Sequence, residues 1–265
     1  MELINGDCLE VMKDMSDNSI DFLFADLPYA QTSCKWDCLI DLDLFWKQVN
    51  RICKPDAVMA FTCSVKFGNT LINSNPKNFR RDLVWVKSSA CGFLNAKKME
   101  MKKHEMIYIF YNKLPKVYTE NIALHHTHKF LKSNPIVETV FDSNSLYGKE
   151  SKKIRYKNED GSINKSLNQT RYEPPLPVSV MEIKCEKGKH STQKPIPLME
   201  YLIKYYTREG ETVLDPVCGS GGTGIACSNQ NRKFIGIEKD SEIFKIALER
   251  NKNKIELDSP APSKS

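Results

Sequence analysis

Residues 212–238 constrain the fold of this chain more than any other stretch. Thr212–Asp215 is apolar up to its final acid, which is typical of a short buried strand. A turn with four glycines among residues 219–224 follows and leads into a helical stretch. Arg232–Ile237 has the composition of a second strand, which ends at Glu238. Because a strand, a turn, a helix and another strand build parallel sheets, an α/β fold is predicted.

Strands and helices also alternate within the first 111 residues. Phe22–Ala25 and Ala57–Cys63 are apolar runs of strand length, and Ile40–Cys53 has apolar residues at helical spacing. The other elements predicted here are a strand ending at Gly6, a helix over Val65–Ile72, and strands over Asp82–Lys87 and Met106–Tyr111. This alternation predicts a parallel or mostly parallel sheet.

The pattern changes between residues 112 and 189. Apolar periodicity fades, and a basic run appears with three tyrosines nearby: Lys149, Lys152, Lys153, Arg155 and Lys157, with Tyr147, Tyr156 and Tyr172. This composition suits phosphate contact and base stacking. The histidines at 125, 126 and 128 have no carboxylate or cysteine at ligand spacing, so no metal site is predicted. We expect 1–111 and 190–255 to be halves of one domain, 112–189 an insertion and 256–265 a disordered tail.

Net charge and cysteine content indicate which kinds of partner and which cellular compartment to expect. The 265-residue chain carries a net charge of +6, which suits a polyanionic partner but is modest. Its nine cysteines form no CxxC pair, which indicates reduced thiols and a cytoplasmic protein. Cys34 and Cys38 lack a matching pair for zinc. No segment resembles a signal peptide or a membrane span, so no membrane partner is predicted.

The strand at Phe22–Ala25 runs into Asp26-Leu27-Pro28-Tyr29. Pro28 fixes its own φ and disfavours helical backbone at Leu27, so the turn is stiff. The Asp26 carboxylate and the Leu27 carbonyl are then two preset acceptors, with the Tyr29 ring beside them. A planar group with an amino donor, such as a nucleobase, suits this arrangement. A purely structural Pro-Tyr turn accounts for the same residues.

These four residues resemble the (D/N/S)PPY motif of the DNA amino-methyltransferases, which methylate adenine N6 or cytosine N4. The resemblance implies that Asp26 and the Leu27 carbonyl hold the target amino group, while the flipped base stacks on Tyr29. Asp26, Leu27, Pro28 and Tyr29 are therefore the candidate catalytic residues. The family usually has proline where this chain has Leu27, a change that keeps the carbonyl but removes the rigid ring.

Two other segments resemble motifs of the same family. Residues 190–195, HSTQKP, are similar to its H(S/P)TQKP segment, and Ser191 or Thr192 is expected to cap the next helix. Residues 215–221 resemble its D-x-F-x-G-x-G turn, with valine in place of phenylalanine. S-adenosylmethionine is the implied cofactor, with Glu238 on its ribose and Asp7 on its adenine. The candidate cofactor residues are Asp7, Cys8, Thr192, Gln193, Lys194, Asp215, Val217, Gly219, Gly221 and Glu238.

The same turn also satisfies the dinucleotide-binding fingerprint, since Gly219, Gly221 and Gly224 have its spacing and Glu238 lies downstream. A nicotinamide-dependent oxidoreductase is therefore an alternative. Asp215 discriminates between the two, because a carboxylate repels a pyrophosphate and attracts the ammonium and sulfonium of S-adenosylmethionine.

The order of the motifs resembles the β class of these enzymes, with the base-gripping motif first and the cofactor turn last. This implies a Rossmann-like fold with a mostly parallel, seven-stranded sheet and circularly permuted motifs. Double-stranded DNA is the implied substrate, and aspartate at the first motif position favours adenine N6 over the alternative, cytosine N4. A non-catalytic DNA-binding protein is a further alternative. A homodimer and a cognate restriction endonuclease are left open.

A basic loop between the strands at Asp82–Lys87 and Met106–Tyr111 has the composition of a solvated loop, and of a DNA-facing one if the resemblance holds. The insertion would then be the target-recognition region. The residues predicted to contact DNA are Lys87, Lys97, Lys98, Lys102, Lys103, Lys152, Lys153 and Arg155.

Overall fold

The computed structural model describes residues 1–28, 39–118, 138–141, 152–155, 172–173, 177–185 and 194–258, with the backbone alone for 138–141, 152–155, 172–173 and 253–258. The strands are β1 (Glu2–Asn5), β2 (Ile20–Ala25), β3 (Cys53–Cys63), β4 (Phe79–Cys91), β5 (Lys102–Phe110), β6 (Glu138–Phe141), β7 (Lys152–Arg155), β8 (Tyr172–Glu173), β9 (Val180–Glu182), β10 (Thr212–Asp215) and β11 (Lys233–Glu238). The α-helices are α1 (Cys8–Val11), α2 (Leu42–Ile52), α3 (Val65–Ser74), α4 (Ile196–Tyr206), α5 (Gly222–Asn229) and α6 (Ser241–Asp258).

The larger of two compact units comprises residues 1–117 and 179–265, and it is built on one sheet. The strand order is β1-β11-β10-β2-β3-β5-β4-β9. Only the two pairings of β5 are antiparallel in this sheet, so β5 alone runs against the other described strands. The α/β class and the mostly parallel sheet are confirmed. The sheet has eight strands where seven were predicted, because β9 pairs with β4 at the edge.

The core forms where the sequence pattern placed it. All four residues of Phe22–Ala25 are at most 2% exposed, as expected for a central strand covered on both faces. Helix α2 begins at its cap Asp41, whose side chain accepts from the Leu44 N–H. It buries Phe45, Trp46, Val49 and Ile52 at helical spacing, and α4 buries Leu198, Leu202, Ile203 and Tyr206.

Three predicted boundaries differ from the structure. Helix α4 is capped by Pro195, whose extended backbone ends the approach segment, so Ser191 and Thr192 were the wrong cap residues. The predicted disordered tail began at residue 256, but α6 continues to Asp258. The two strands around the basic loop are longer than predicted. Strand β4 continues to Cys91 and β5 already begins at Lys102, because the two pair with each other in a long hairpin.

The smaller unit, residues 118–178, contains a three-stranded antiparallel sheet in the order β6-β7-β8. It lies within the predicted insertion, residues 112–189, which is longer at both ends. At the C-terminal end the difference arises because β9 belongs to the large sheet. The histidines at 125–128 and Cys34 and Cys38 lie outside the described residues. Within the described ranges the cysteines are free thiols, no cluster of side chains suits a metal ion, and no helix has both the length and the apolarity of a membrane span.

Candidate active site

Five polar side chains lie where parallel strands of the large sheet end. Asp7 follows β1, Asp26 follows β2, Thr62 is near the end of β3, and Asp215 and Glu238 are the last residues of β10 and β11. Since these strands run in the same direction, their carboxyl ends share one edge of the sheet. Ligands of open α/β sheets bind outside this edge. The structure therefore gathers the predicted acidic residues at the location where such a site is expected.

Asp26 is held by two donors from different parts of the chain. The Thr62 hydroxyl donates to its Oδ1 at 2.9 Å, and the Lys194 ammonium donates to its Oδ2 at 2.6 Å. Thr62 is fully buried, and the Asp26 side chain keeps 29% exposure. Burial raises the pKa of Asp26, whereas Lys194 and Thr62 act in the opposite direction. The carboxylate is thus fixed in orientation and still has an exposed portion.

Lys194 links Asp26 to a second carboxylate. Its Nζ lies 2.9 Å from Glu105 Oε1, and Glu105 Oε2 lies 2.7 Å from Lys87 Nζ. Burial would lower the pKa of Lys194, but the carboxylates of Asp26 and Glu105 outweigh it and raise that pKa. Burial likewise opposes ionisation of Glu105, and the two ammonium groups nevertheless lower its pKa. The result is an alternating chain of charges, Lys87-Glu105-Lys194-Asp26, named the charge chain below.

Leu27 is the position at which this chain differs from the motif that it resembles. Its side chain is 1% exposed and belongs to the main hydrophobic cluster. Packing therefore restrains the backbone at this position, where the family usually relies on a proline ring. Tyr29 lies outside the described residues, as do Thr192 and Gln193.

Asp215 is a buried acid at the start of the glycine-rich turn. It is 3% exposed, and its Oδ2 accepts from the Thr223 hydroxyl, while its Oδ1 accepts from the Val217 N–H at 3.2 Å. Burial raises its pKa to about 7, although both hydrogen bonds act against the rise. The turn thus presents a carboxyl group whose ionised form a nearby cation would stabilise.

Two glycines shape the turn after Asp215. Gly219 and Gly221 have φ values of +53° and +76°, which side chains rarely adopt. A Cβ on Gly221 would lie 2.4 Å from Asn251 Nδ2, whereas one on Gly219 would meet no atom within 4 Å. Gly219 therefore leaves open space beside its backbone. Glu238 supports this backbone, because its Oε2 accepts from the Gly219 N–H at 3.0 Å.

Asp7 and Cys8 line the adjacent strand end. Asp7 caps α1 through the Leu9 N–H at 2.9 Å, and its second oxygen lies 3.0 Å from Lys239 Nζ. Burial opposes ionisation of Asp7, but these two partners lower its pKa. Cys8 is buried in the main hydrophobic cluster, and burial raises the pKa of its thiol to about 12, so it stays uncharged.

These carboxylate acceptors fit a cationic cofactor that also carries hydroxyl groups. Asp215 lacks a cationic partner among the described residues, and Gly219 provides space beside it. Glu238 and Asp7 are carboxylates at the ends of neighbouring strands. Both oxygens of Glu238 accept from main-chain N–H groups, of Gly219 and Asp240, and one oxygen of Asp7 accepts from the Leu9 N–H. An anionic pyrophosphate beside Asp215 would meet repulsion.

Sequence patterns missed Thr62, Glu105 and Thr223, which bind the predicted residues directly. Thr62 could have been found, because it is the next-to-last residue of the buried strand that follows the one leading to Asp26. The structure also places Lys87 on Glu105 within the sheet, whereas Lys97, Lys98, Lys102 and Lys103 are exposed. Lys152, Lys153 and Arg155 form β7, where only the backbone is described.

Comparisons with known proteins identify the family of this chain. A family model described as DNA methylase, of the N6 and N4 type, matches residues 20–249. The type II methyltransferase M2.DpnII of Streptococcus pneumoniae is 42% identical over 105 residues, which are 38% of each chain. Other relatives matched over short segments have 21% and 26% of their length covered. The DNA adenine methyltransferase YhdJ of Escherichia coli K12 is 28% identical over 94% of this chain and 81% of its own.

Solved structures share the fold. The cytosine-N4-specific PvuII DNA methyltransferase superposes with a TM-score of 0.64 at 17% identity, covering 94% of this chain and 85% of its own. The M1.HpyAVI complex with S-adenosylmethionine gives 0.58 at 22% identity, covering 94% and 98%. At these identities the likeness concerns the fold alone. The family match covers most of the chain, and the chain therefore belongs to the DNA methylase family of the N6 and N4 type.

Proposed function

We propose that this protein transfers a methyl group from S-adenosylmethionine to an exocyclic amino group in DNA. The observation that carries the proposal is the position of Asp26, which lies at the same sheet edge as Asp215 and Glu238 and is fixed by Thr62 and Lys194. The family membership and the relatives named as type II methyltransferases support it, and they also support a place in a restriction–modification system.

In the proposed reaction, Asp26 and the Leu27 carbonyl accept hydrogen bonds from the target amino group. These two acceptors orient the nitrogen lone pair, which is otherwise delocalised into the ring, toward the cofactor side of the site. Tyr29 provides the surface on which the flipped base stacks. Because positioning supplies most of the effect, Asp26 does not need to be a strong base.

S-adenosylmethionine, when bound, supplies an electrophilic methyl group on sulfonium. The residues proposed to hold it are Asp215, Gly219, Gly221, Glu238 and Asp7, with Cys8 and Val217 as apolar neighbours. Asp215 compensates positive charge, and Glu238 and Asp7 accept from hydroxyl and amino groups. Thr192 and Gln193 retain the cofactor role that their motif implies.

Adenine N6 is the proposed target atom, because the motif begins with aspartate and YhdJ is named as an adenine methyltransferase. The second candidate is cytosine N4, the specificity that the PvuII enzyme carries in its name. The proposed DNA contacts are made by the exposed lysines of the β4–β5 hairpin and by the insertion, where Lys152, Lys153 and Arg155 lie on one short strand.

Incubating the purified protein with genomic DNA and tritium-labelled S-adenosylmethionine tests the proposal. We expect label in DNA, and N6-methyladenine after digestion to nucleosides. N4-methylcytosine would support the second candidate, and absence of label in a folded protein that binds the cofactor would support a non-catalytic DNA-binding protein. Tight binding of NAD without binding of S-adenosylmethionine would contradict the cofactor assignment. Sequencing DNA from a host that expresses the protein would give the recognition sequence.

A further inference from the structure

The hairpin of β4 and β5 has an apolar tip that is exposed to solvent. The tip, residues 92–101, begins at Gly92, whose φ of +95° turns the chain into the short 3-10 helix Phe93–Asn95. Phe93 is 79% exposed and Leu94 is 96% exposed. Two adjacent large apolar side chains at the end of a projecting hairpin indicate a contact surface.

Positive charge lies close to these apolar residues in the sequence. Lys97, Lys98, Lys102 and Lys103 are all exposed, and Glu100 is the one acid of residues 91–103. An apolar tip followed closely by exposed lysines is complementary to a partner that combines negative charge with flat apolar groups. Duplex DNA has this combination, since phosphates flank the stacked bases.

The tip lies on the catalytic side of the sheet. Strand β4 runs in the same direction as β3, because both are antiparallel to β5, so its carboxyl end extends from the edge that carries Asp26. Trp85 pairs with Glu105 at the base of the hairpin, and Glu105 reaches Asp26 through Lys194. The hairpin is therefore anchored directly on the candidate active site.

We propose that Phe93 and Leu94 wedge into the DNA base stack beside the flipped nucleotide while the nearby lysines bind phosphates. This inference rests on the proposed function. Flipping a base leaves a gap in the stack, and apolar side chains inserted between base steps stabilise such distortions. The wedge thus favours the extrahelical base, whereas the lysines contribute affinity without regard to base position.

The test uses DNA with 2-aminopurine at the target position, whose fluorescence rises on unstacking, and compares three variants of the whole protein. Phe93→Ser with Leu94→Ser should reduce the fluorescence rise. The equilibrium constant for unstacking the target base should fall roughly ten- to hundredfold, as expected for lost stacking. The salt dependence of DNA affinity should stay unchanged. Lys97→Ala with Lys98→Ala should reduce the salt slope by about two units and keep the fluorescence rise at saturating protein.

Leu114→Ser is the matched control, because Leu114 is 81% exposed but follows β5 at the opposite sheet edge. It should leave the fluorescence rise and the salt slope unchanged. A wild-type rise that persists in the Phe93 and Leu94 variant would overturn the wedge and leave the proposed function standing. A wild-type protein that neither transfers methyl groups nor unstacks the probe would overturn both.

The charge chain carries a second, independent inference. The side chain of Lys194 is 12% exposed and that of Glu105 is 13% exposed, so solvent screens their charges only weakly. Lys194 is the one ammonium within 4.0 Å of Asp26 among the described residues, and Glu105 competes for it. The pair can therefore set both the orientation and the charge of Asp26.

We infer that Lys194 and Glu105 are positioning residues. Lys194 holds Asp26 ionised and aimed at the target amino group, and Glu105 fixes the position of Lys194. The charged and titratable groups that act on Asp26 or on its neighbours come from several elements. Lys194 precedes α4, Glu105 and Lys102 lie on β5, Lys87 on β4, Cys63 on β3 and Asp215 on β10. Of these, Lys194 favours the ionised form of Asp26 most strongly, and Glu105 opposes it.

Single-turnover methylation measured against pH tests this inference. Lys194→Gln removes the cation and should move the acidic limb of the profile to higher pH. Glu105→Gln removes a competing carboxylate and should move the same limb to lower pH. A shift of one pH unit corresponds to about tenfold in rate on the acidic side. Opposite shifts are the signature, because a structural defect would lower the rate at all pH values.

Lys54→Gln is the control, because Lys54 on β3 pairs with Asp21 on β2, away from Asp26. This substitution should leave the acidic limb of the pH profile in place. Melting temperatures of all three variants accompany the rates. Shifts in the same direction, or rates that fall only in proportion to unfolding, would show that the chain of charges has no role in positioning Asp26.

Discussion

Replacing Asp26 with alanine is expected to abolish methyl transfer and to leave the affinity for S-adenosylmethionine nearly unchanged. Asp26 lies in the part of the site that is proposed to bind the target nucleobase, and its partners there are Thr62 and Lys194. Asp215 and Glu238 make the proposed cofactor contacts. The alanine variant loses the acceptor that orients the amino nitrogen. Its Lys194 ammonium keeps Glu105 as a partner, so no unpaired buried charge results.

Single-turnover methylation, calorimetry with the cofactor and thermal melting on the same preparations give the measurement. Asp26→Asn is the companion variant, because it retains an acceptor oxygen for Thr62 or the substrate but loses the negative charge. We expect partial activity from asparagine and none from alanine. If the turn were only structural, both variants would lose activity in proportion to unfolding. A folded alanine variant that methylates DNA at the wild-type rate would remove Asp26 from the mechanism.

The sequence was sufficient for elements whose formation depends on local pattern. The buried run Phe22–Ala25 and the helical spacing of Phe45, Trp46, Val49 and Ile52 predict a strand and a helix because burial repeats with the period of the element. The strand-end acids were predictable for a related reason. Parallel strands place their carboxyl ends at one edge of the sheet, so Asp26, Asp215 and Glu238 were expected to share that edge. The strand order β11-β10-β2 then makes them neighbours.

Contacts that depend on the antiparallel strand β5 could not be predicted. Glu105 reaches Lys194 because β5 lies between β3 and β4, and no residue pattern specifies that order. Lys194 and Asp26 are 168 positions apart, and the motif around Lys194 indicated the cofactor rather than the catalytic acid. The helix cap at Pro195 was missed for a simpler reason, since the better capping residues came earlier in the segment than the first helical turn.

Replacing Asp215 with asparagine is expected to stabilise the protein and to weaken S-adenosylmethionine binding. The pKa of Asp215 is raised to about 7, so folding favours its protonated form, and the wild type loses stability as pH rises from about 4 to 7. The loss amounts to roughly 1.4 kcal/mol for each pH unit at most. Asparagine stays neutral and can still accept from Thr223 or Val217. Its advantage in melting temperature should therefore grow with pH and level off above pH 7.

Cofactor affinity should move in the opposite direction, because the cation loses its buried counter-charge. We expect a loss on the order of 2 kcal/mol, roughly thirtyfold in Kd, above pH 7. In the wild type, binding requires the ionised carboxylate, so affinity should fall below pH 7 and protons should be released on binding. The asparagine variant should show neither effect. Calorimetry in buffers of different ionisation enthalpy measures both the affinity and the proton release. A variant with wild-type affinity at pH 8 would show that Asp215 stabilises the turn through Thr223 and Val217 and that its charge does not contribute to cofactor binding.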